Sequence, residues 1–253
     1  MVRVTACTNQ KGGVGKTTTV INLAAYLALS GVRTLVIDLD PQGNATSGLG
    51  VDRRAVERSS YEALVDRAPI GDLTLSTPVP GLDLVPSASS LSGAEVELVG
   101  VTARERRLAA SLAELDGQYD RVLIDCPPSL GLLTVNALTA ADGVLIPIQA
   151  EYYALEGLSQ LVNTIRRVRE GLNPRLEIEG VLLTMYDART NLSAQVATEV
   201  RRHMNGSVYQ TVVPRSIRLS EAPSHGLPIA LYDPASRGAS AYRELAGEVT
   251  ARG

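Results

Sequence analysis

Val2-Arg3-Val4-Thr5-Ala6-Cys7-Thr8-Asn9-Gln10-Lys11-Gly12-Gly13-Val14-Gly15-Lys16-Thr17-Thr18-Thr19 is the stretch that decides the fold. Its first third alternates β-branched and small apolar residues and reads as a strand. From Thr17 onward, Val20, Leu23, Ala24 and Leu27 recur at helical spacing. The Gly-rich turn between them has the strand–loop–helix context of a phosphate-binding loop. Gly12, Gly13 and Gly15 let the backbone approach phosphate oxygens and adopt positive φ. Their N–H groups, with Val14 and the helix start at Thr17 and Thr18, form an anion nest. Lys16 is placed to reach the β- and γ-phosphates, and the Thr17 hydroxyl to ligate Mg²⁺. One position departs from the generic pattern: Gln10 stands where the first glycine belongs, and an extra lysine, Lys11, follows it. Lys11 and Lys16 are the only lysines among the 24 Lys and Arg residues. A compact ammonium is therefore kept for this loop while every other side-chain cation is a planar guanidinium.

Outward from the loop, apolar runs of strand length alternate with helix-length periodic segments. Strands are predicted at 2–8, 33–39, 82–86, 119–126, 143–149, 178–185 and 208–214, and helices at 16–30, 103–116, 131–141, 155–171, 193–204 and 239–251. Most of the strands are near-continuous Val/Ile/Leu runs, as strands buried on both faces are. The alternation predicts an α/β fold: a doubly wound, mostly parallel sheet with helices on both faces, in one P-loop ATPase domain over residues 1–253. Gly31, Gly117 and Gly171 stand where helices should end. Residues 43–81, rich in Gly, Ser, Pro and charge, read as a surface connection and switch region.

Two acidic positions fit a phosphate-transfer site. Asp125 ends the apolar run Arg121-Val-Leu-Ile and suits the second acid that holds the water shell of Mg²⁺; a turn Asp before Pro127-Pro128 is the other reading. The strand 33–39 runs into Asp38-Leu39-Asp40-Pro41-Gln42-Gly43-Asn44 at the carboxyl edge of the sheet, where ligands bind. One of its carboxylates could orient the attacking water, but two acids two apart on an extended strand point the same way, so spacing does not choose between them.

Composition bounds the rest. A net charge of −3 does not suggest a nucleic-acid binder, so any such surface must be a local Arg patch. With no Trp or Phe, an aromatic platform for single strands is disfavoured. Cys7 and Cys126 read as buried small hydrophobes. His203 and His225 lack metal-ligand spacing. No apolar run is long enough to span a bilayer, and the first strand leaves no room for a signal peptide, so a soluble cytoplasmic protein is expected. The arginines at 104, 106, 107, 166, 167 and 169 read as solvated helix faces. Arg189, Arg215 and Arg218 fall at loop or helix-start positions, where cations without adjacent acids more often meet phosphates.

Lys11-Gly-Gly-Val-Gly-Lys-Thr-Thr18 resembles the deviant Walker A loop of the ParA/MinD ATPase superfamily. Asp38-Leu-Asp-Pro-Gln-Gly-Asn-Ala-Thr-Ser-Gly48, Asp125-Cys-Pro-Pro-Ser-Leu-Gly131, Glu151-Tyr-Tyr-Ala-Leu-Glu-Gly157, Pro214-Arg-Ser-Ile-Arg-Leu-Ser-Glu-Ala-Pro-Ser224 and Tyr232-Asp-Pro-Ala-Ser-Arg-Gly238 are similar to the ParA/Soj members over essentially the whole chain. The resemblance implies a partition ATPase that uses ATP and Mg²⁺. It implies a homodimer with nucleotide sandwiched at the interface, non-specific binding to nucleoid DNA, and a ParB-type partner that stimulates hydrolysis. It gives Lys11 a reach across the dimer to the partner's phosphates and Lys16 the phosphates of its own subunit. Asp40 orients the water, and Thr17, Asp40 and Asp125 surround the magnesium. Glu151 becomes a nucleotide contact across the interface, and Pro214 the adenine-side wall. Arg189 and Arg218 become DNA-phosphate contacts; Arg215 joins them from its position alone. A MinD-type membrane-cycling ATPase is the alternative. It needs a basic amphipathic C-terminal helix, whereas the stripe of Tyr242, Leu245, Ala246 and Val249 reads as core-docking. The two cysteines do not match the cluster ligands of iron-protein relatives.

Overall fold

The computed structural model describes residues 2–115, 117–151 and 154–252, without the side chains of residues 154 and 156. Tyr152 and Tyr153 of the 151–157 motif, and Asp116 at the end of the predicted 103–116 helix, lie outside the described residues. Eight strands form one sheet: β1 (Arg3–Cys7), β2 (Thr34–Asp38), β3 (Leu75–Ser76), β4 (Leu82–Val85), β5 (Arg121–Asp125), β6 (Gly143–Gln149), β7 (Glu177–Tyr186) and β8 (Val208–Pro214). Their order is β3-β4-β2-β5-β1-β6-β7-β8. Every pairing is parallel except β3 with β4 at one edge. The helices are α1 (Lys16–Leu29), α2 (Asn44–Gly48), α3 (Ser60–Leu64), α4 (Leu91–Glu97), α5 (Arg107–Leu112), α6 (Leu132–Ala140), α7 (Ala154–Gly171), α8 (Asn191–His203), α9 (Ile217–Glu221), α10 (Ile229–Tyr232) and α11 (Arg237–Ala251).

Period-two alternation along each central strand feeds two apolar layers. Val4, Ala6, Leu35, Ile37, Val122, Ile124, Val144 and Ile146 face one cluster with α3, α5, α6, α7 and α8. Cys7, Val36, Leu123 and Leu145 face the other, with α1 and α11. This explains the continuous apolar runs: both faces of each strand are covered. Within the second layer α11 buries Tyr242, Leu245, Ala246 and Val249, and the Tyr242 hydroxyl lies 3.2 Å from that of Thr19 on α1. The C-terminal stripe therefore docks in the core, as its pattern predicts.

Three predictions are corrected. Residues 43–81 are not merely a surface connection: Ala45, Leu49, Ala63, Leu64, Ile70 and Leu73 are fully or almost fully buried, and the stretch contains α2, α3 and the edge strand β3. Elements of two to five residues are too short to leave a periodic signature. The predicted 103–116 helix breaks into a 3₁₀ turn at Arg104–Arg106 and the shorter α5. Ala103 adopts a left-handed φ of 53°, and the Leu108 N–H in the first turn of α5 donates to Asn136 Oδ1 on α6 at 3.2 Å, so a tertiary contact sets where this helix begins. Arg107 is not on a solvated face; it is buried, and its Nε has no partner among the described residues.

β1 sits centrally, between β5 and β6, and its carboxyl end delivers the Gly-rich loop to the crevice at the strand termini. There β5 ends beside β2, with Asp38 and Asp125 in register.

Candidate nucleotide and magnesium site

The loop between β1 and α1 is pinned from outside. The Thr8 N–H donates to Leu145 C=O at 3.1 Å, Asn9 Nδ2 to Pro147 C=O at 2.7 Å, and the Lys11 N–H to Asn9 Oδ1 at 3.0 Å. Val14 is buried, and its carbonyl accepts the Thr184 hydroxyl at 2.8 Å. Gly13 and Gly15 take φ of 74° and 85°, a region open to glycine at little cost. A side-chain carbon built on Gly12 or Gly13 would meet no atom within 4 Å, so the space beside these exposed glycines is open. Gly15 caps α1 without any side-chain hydrogen bond, leaving the first-turn N–H groups to a ligand. Lys16 is buried, with Nζ donating to the Lys11 carbonyl at 3.3 Å. Lys11 Nζ instead reaches Glu151 Oε2 at 3.1 Å, and the other oxygen of Glu151 accepts from Gln149 Nε2.

Asp38 and Asp40, indistinguishable by spacing, have different surroundings. β2 ends at Asp38, so Asp40 lies beyond the strand. The Asp38 carboxylate is fully buried and accepts from the Asp40 N–H at 3.1 Å, the Thr46 N–H at 2.8 Å and the Thr46 hydroxyl at 2.7 Å. Burial pushes its carboxyl up to about 6, opposed by those hydrogen bonds. It braces the turn into α2. Asp40 Oδ1 accepts from the Gln42 N–H at 2.9 Å, and Oδ2 has no partner among the described residues. Its backbone is held by Ser87, whose hydroxyl donates to Asp40 C=O at 2.7 Å.

Asp125 is fully buried, and by strict hydrogen-bond geometry neither carboxylate oxygen has a partner among the described residues, although the Thr17 hydroxyl is close enough to pull its pKa down. Burial and the charge of Asp38 push its carboxyl well above the usual range, against the pull of Thr17 and Lys16. A turn Asp would be bonded to backbone, so that reading falls away. An orphaned carboxylate beside a hydroxyl, at the mouth of an anion nest, fits a divalent cation that completes its shell with water and phosphate oxygens. No cage of three or more acidic, Cys or His ligands exists among the described residues. Such a cation would be held by Thr17 and Asp125 together with the nucleotide.

A cavity of ≈ 140 Å³ opens beside the loop, lined by Gly15, Thr18, Met185, Pro214, Leu219 and Tyr242 among others. Next to it, Arg189, Arg215 and Arg237 line a wide cleft of ≈ 800 Å³ beside Ile217, which is 76% exposed. The sequence premise for this face needs correction. Arg189 and Arg218 do have adjacent acids: Arg189 pairs with Asp187 at 2.8 Å, and Arg218 with Glu221 at 3.0 Å and Asp233 at 3.3 Å. Sequence reasoning missed Thr46, Ser87, Thr184 and Arg237. The first three act through contacts between residues 41 to 170 positions apart in sequence, except for the shorter Thr46 to Asp38 bond. His203 and His225 stay outside the site; His225 stacks on Tyr232 at 4.9 Å.

The profile of the AAA domain family matches residues 2–178. The chain is 59% identical to the sporulation initiation inhibitor protein Soj of Bacillus subtilis over the full length of both. It is 54% identical to the chromosome partitioning protein ParA of Caulobacter vibrioides, covering 99% of this chain and 95% of that one. Among solved structures it resembles a cobyrinic acid a,c-diamide synthase of Mycobacterium smegmatis with bound ADP and magnesium, at 40% identity and a TM-score of 0.87, covering 99% and 94% of the two chains. The septum site-determining protein MinD of Pyrococcus horikoshii, complexed with Mg-ADP, is more distant, at 27% identity and a TM-score of 0.82 over 98% and 96%.

Proposed function

The chain belongs to the Soj/ParA family of chromosome-partitioning ATPases, and from that premise we propose that it is a DNA-segregation switch whose state is set by ATP. It uses ATP and Mg²⁺ and hydrolyses ATP. The observation that carries the reading is the buried carboxylate of Asp125, without a hydrogen bond of good geometry among the described residues, beside Lys16 and Thr17 at the mouth of an anion nest.

Magnesium, when bound, neutralises charge developing between the β- and γ-phosphates. The chain's own groups do the rest. The backbone N–H groups from Gly12 to Thr18 cradle the phosphates, and Lys16 exchanges the Lys11 carbonyl for phosphate oxygens. Thr17 and Asp125 hold the cation, with Asp40 facing the same shell. The unpaired Oδ2 of Asp40 accepts from the attacking water, a role closed to Asp38 because three donors already occupy it. Pro214 lies against the base. Lys11 leaves Glu151 to reach the phosphates of a second subunit in an ATP-dependent homodimer, where Glu151 touches the nucleotide across the interface.

Dimerisation brings two copies of Arg189, Arg215 and Arg218 onto one surface for duplex DNA. A ParB-type protein accelerates hydrolysis and releases the dimer from the nucleoid. The MinD-type alternative has less support: the C-terminal apolar stripe is buried in the core, and the MinD structure is less similar in sequence than the Soj and ParA relatives. Two measurements test the reading. Elution from a sizing column should shift to dimer with ATP and Mg²⁺. Gel shifts with two unrelated duplexes at two salt concentrations should then give ATP-dependent, sequence-independent binding that Arg189→Glu and Arg218→Glu weaken alike on both. Unchanged DNA binding in both variants would move the surface elsewhere, and vesicle binding without DNA binding would favour the membrane reading.

A further inference from the structure

The arginines of this face are not equally free. Arg189 has an 88% exposed side chain, yet its Nε and Nη2 both donate to Asp187, at 2.9 and 2.8 Å, while its backbone N–H donates to the same carboxylate at 3.0 Å. Those bonds, with the nearby charge of Arg215, hold the Asp187 carboxyl well below its ordinary range. Arg218 is held twice. Its Nη1 donates to Glu221 at 3.0 Å, and its Nε lies 3.3 Å from Asp233. Glu221 is fixed in turn by the Tyr232 hydroxyl at 3.3 Å. These three acids come from three separate places: the turn after β7, the end of α9 and the turn after α10. Among the described residues Arg215 and Arg237 have no ion pair, although both line the same cleft.

A phosphate that approaches Arg215 displaces no carboxylate paired with it among the described residues, although Asp187 and Glu244 line the same cleft. One that approaches Arg189 or Arg218 must displace a seated carboxylate, and afterwards the freed acid repels it. We propose that Asp187, Glu221 and Asp233 are built-in competitors of DNA phosphate that keep the Arg189 and Arg218 sites weak, leaving Arg215 as the contact that engages first. The proposal rests on the reading of this face as a duplex-binding surface. It gives that surface a function beyond attraction. Weak individual contacts make retention depend on two subunits acting together, so splitting the dimer sheds DNA quickly.

Asp187→Asn is the decisive variant, because Asn keeps an oxygen for the Arg189 N–H and loses only the charge. Exposed ion pairs of this kind are modest, so Asp187→Asn, and Glu221→Gln combined with Asp233→Asn because both acids hold Arg218, should each tighten ATP-dependent duplex binding about two- to fivefold at fixed salt. Each freed arginine should also steepen the slope of log affinity against log salt by up to about 0.9. Arg215→Ala should weaken binding more than Arg189→Ala or Arg218→Ala. In an Arg189→Ala background the gain from Asp187→Asn should largely vanish, which separates release of that arginine from a general change of net charge. Thermal melts of all variants check that folding is intact. Unchanged affinity in Asp187→Asn, or an equal gain with and without Arg189, overturns the proposal while leaving the surface itself standing. If all three Arg→Ala variants bind like the parent, the DNA reading fails first, and the proposal with it.

Discussion

Gly13→Ala separates a residue needed for folding from one needed to leave room. Gly13 has φ of 74°, and a methyl there would meet no protein atom within 4 Å. Its cost to the free protein is therefore backbone strain alone, about 1–2 kcal/mol for a non-glycine residue in left-handed conformation. For a domain of this size that lowers the melting temperature by roughly 2–8 °C. Gly31, just past the far end of α1, is an internal control: its φ is 93°, and its side-chain carbon would also meet nothing within 4 Å. Gly31→Ala should melt with a similar deficit. The two must part company with nucleotide. The methyl of Gly13→Ala would project into the volume reserved for phosphate and cost at least one charge-assisted backbone hydrogen bond, about 1.5–3 kcal/mol. That is roughly ten- to hundredfold weaker ATP binding. Titration with a fluorescent ATP analogue in Mg²⁺, alongside thermal melts, reads both quantities. If Gly13→Ala binds ATP like the parent, the open space is not the phosphate cradle. If it melts far below Gly31→Ala, the glycine has a packing role that the geometry does not contain.

Other outcomes follow from the same site. Lys16→Ala should abolish productive ATP binding in the titration. Lys11→Ala should keep monomer-level binding and lose only the ATP-driven shift on the sizing column; normal dimerisation would refute its role across the interface. Asp40→Ala should bind ATP, turn it over poorly and accumulate as an ATP-bound dimer. Asp38→Ala strands three buried donors at about 1–3 kcal/mol each before any relief from losing a buried charge, so it should show its main defect in melting temperature. Preserved turnover in the Asp40 variant with loss in a well-folded Asp38 variant would reverse the assignment. Asp125→Ala removes a buried carboxyl that lacks a well-formed hydrogen bond, so the nucleotide-free protein should melt no lower than the parent while losing Mg²⁺-dependent turnover. A lower melting point there would mean the carboxylate is already satisfied. Chelation of Mg²⁺ should cost the parent its ATP-driven dimer and leave the melting point of the nucleotide-free chain unchanged.

The local pattern of the chain determined most of the scaffold and the chemistry of the loop. Seven of the eight strands come from apolar runs, most clearly the central ones buried on both faces, and burial writes itself directly into composition. The Gly-rich turn is legible because positive φ and close backbone approach demand glycine, and because the two lysines occur nowhere else. Asp125 is legible as the polar end of an apolar strand. The single-domain reading stays an inference from that pattern, supported by one continuous sheet. What only the tertiary structure decided are the contacts made by residues distant in sequence. Asp38 and Asp40 look equivalent on the strand, and become a brace and an open carboxylate because Thr46 on α2 folds back over one of them. Residues 43–81 contribute core because short elements are ordered by what they pack against, with no period of their own to reveal them. The arginine face, inferred from cations without nearby acids, has acids seated on two of its three members: Asp187 and Glu221 are sequence neighbours that the reading passed over, and only Asp233 is brought to Arg218 by two turns coming together. Burial and periodicity are properties of a segment and can be read along it. The protonation, pairing and freedom of a charged group depend on its neighbours in space, and those exist only once the chain has folded.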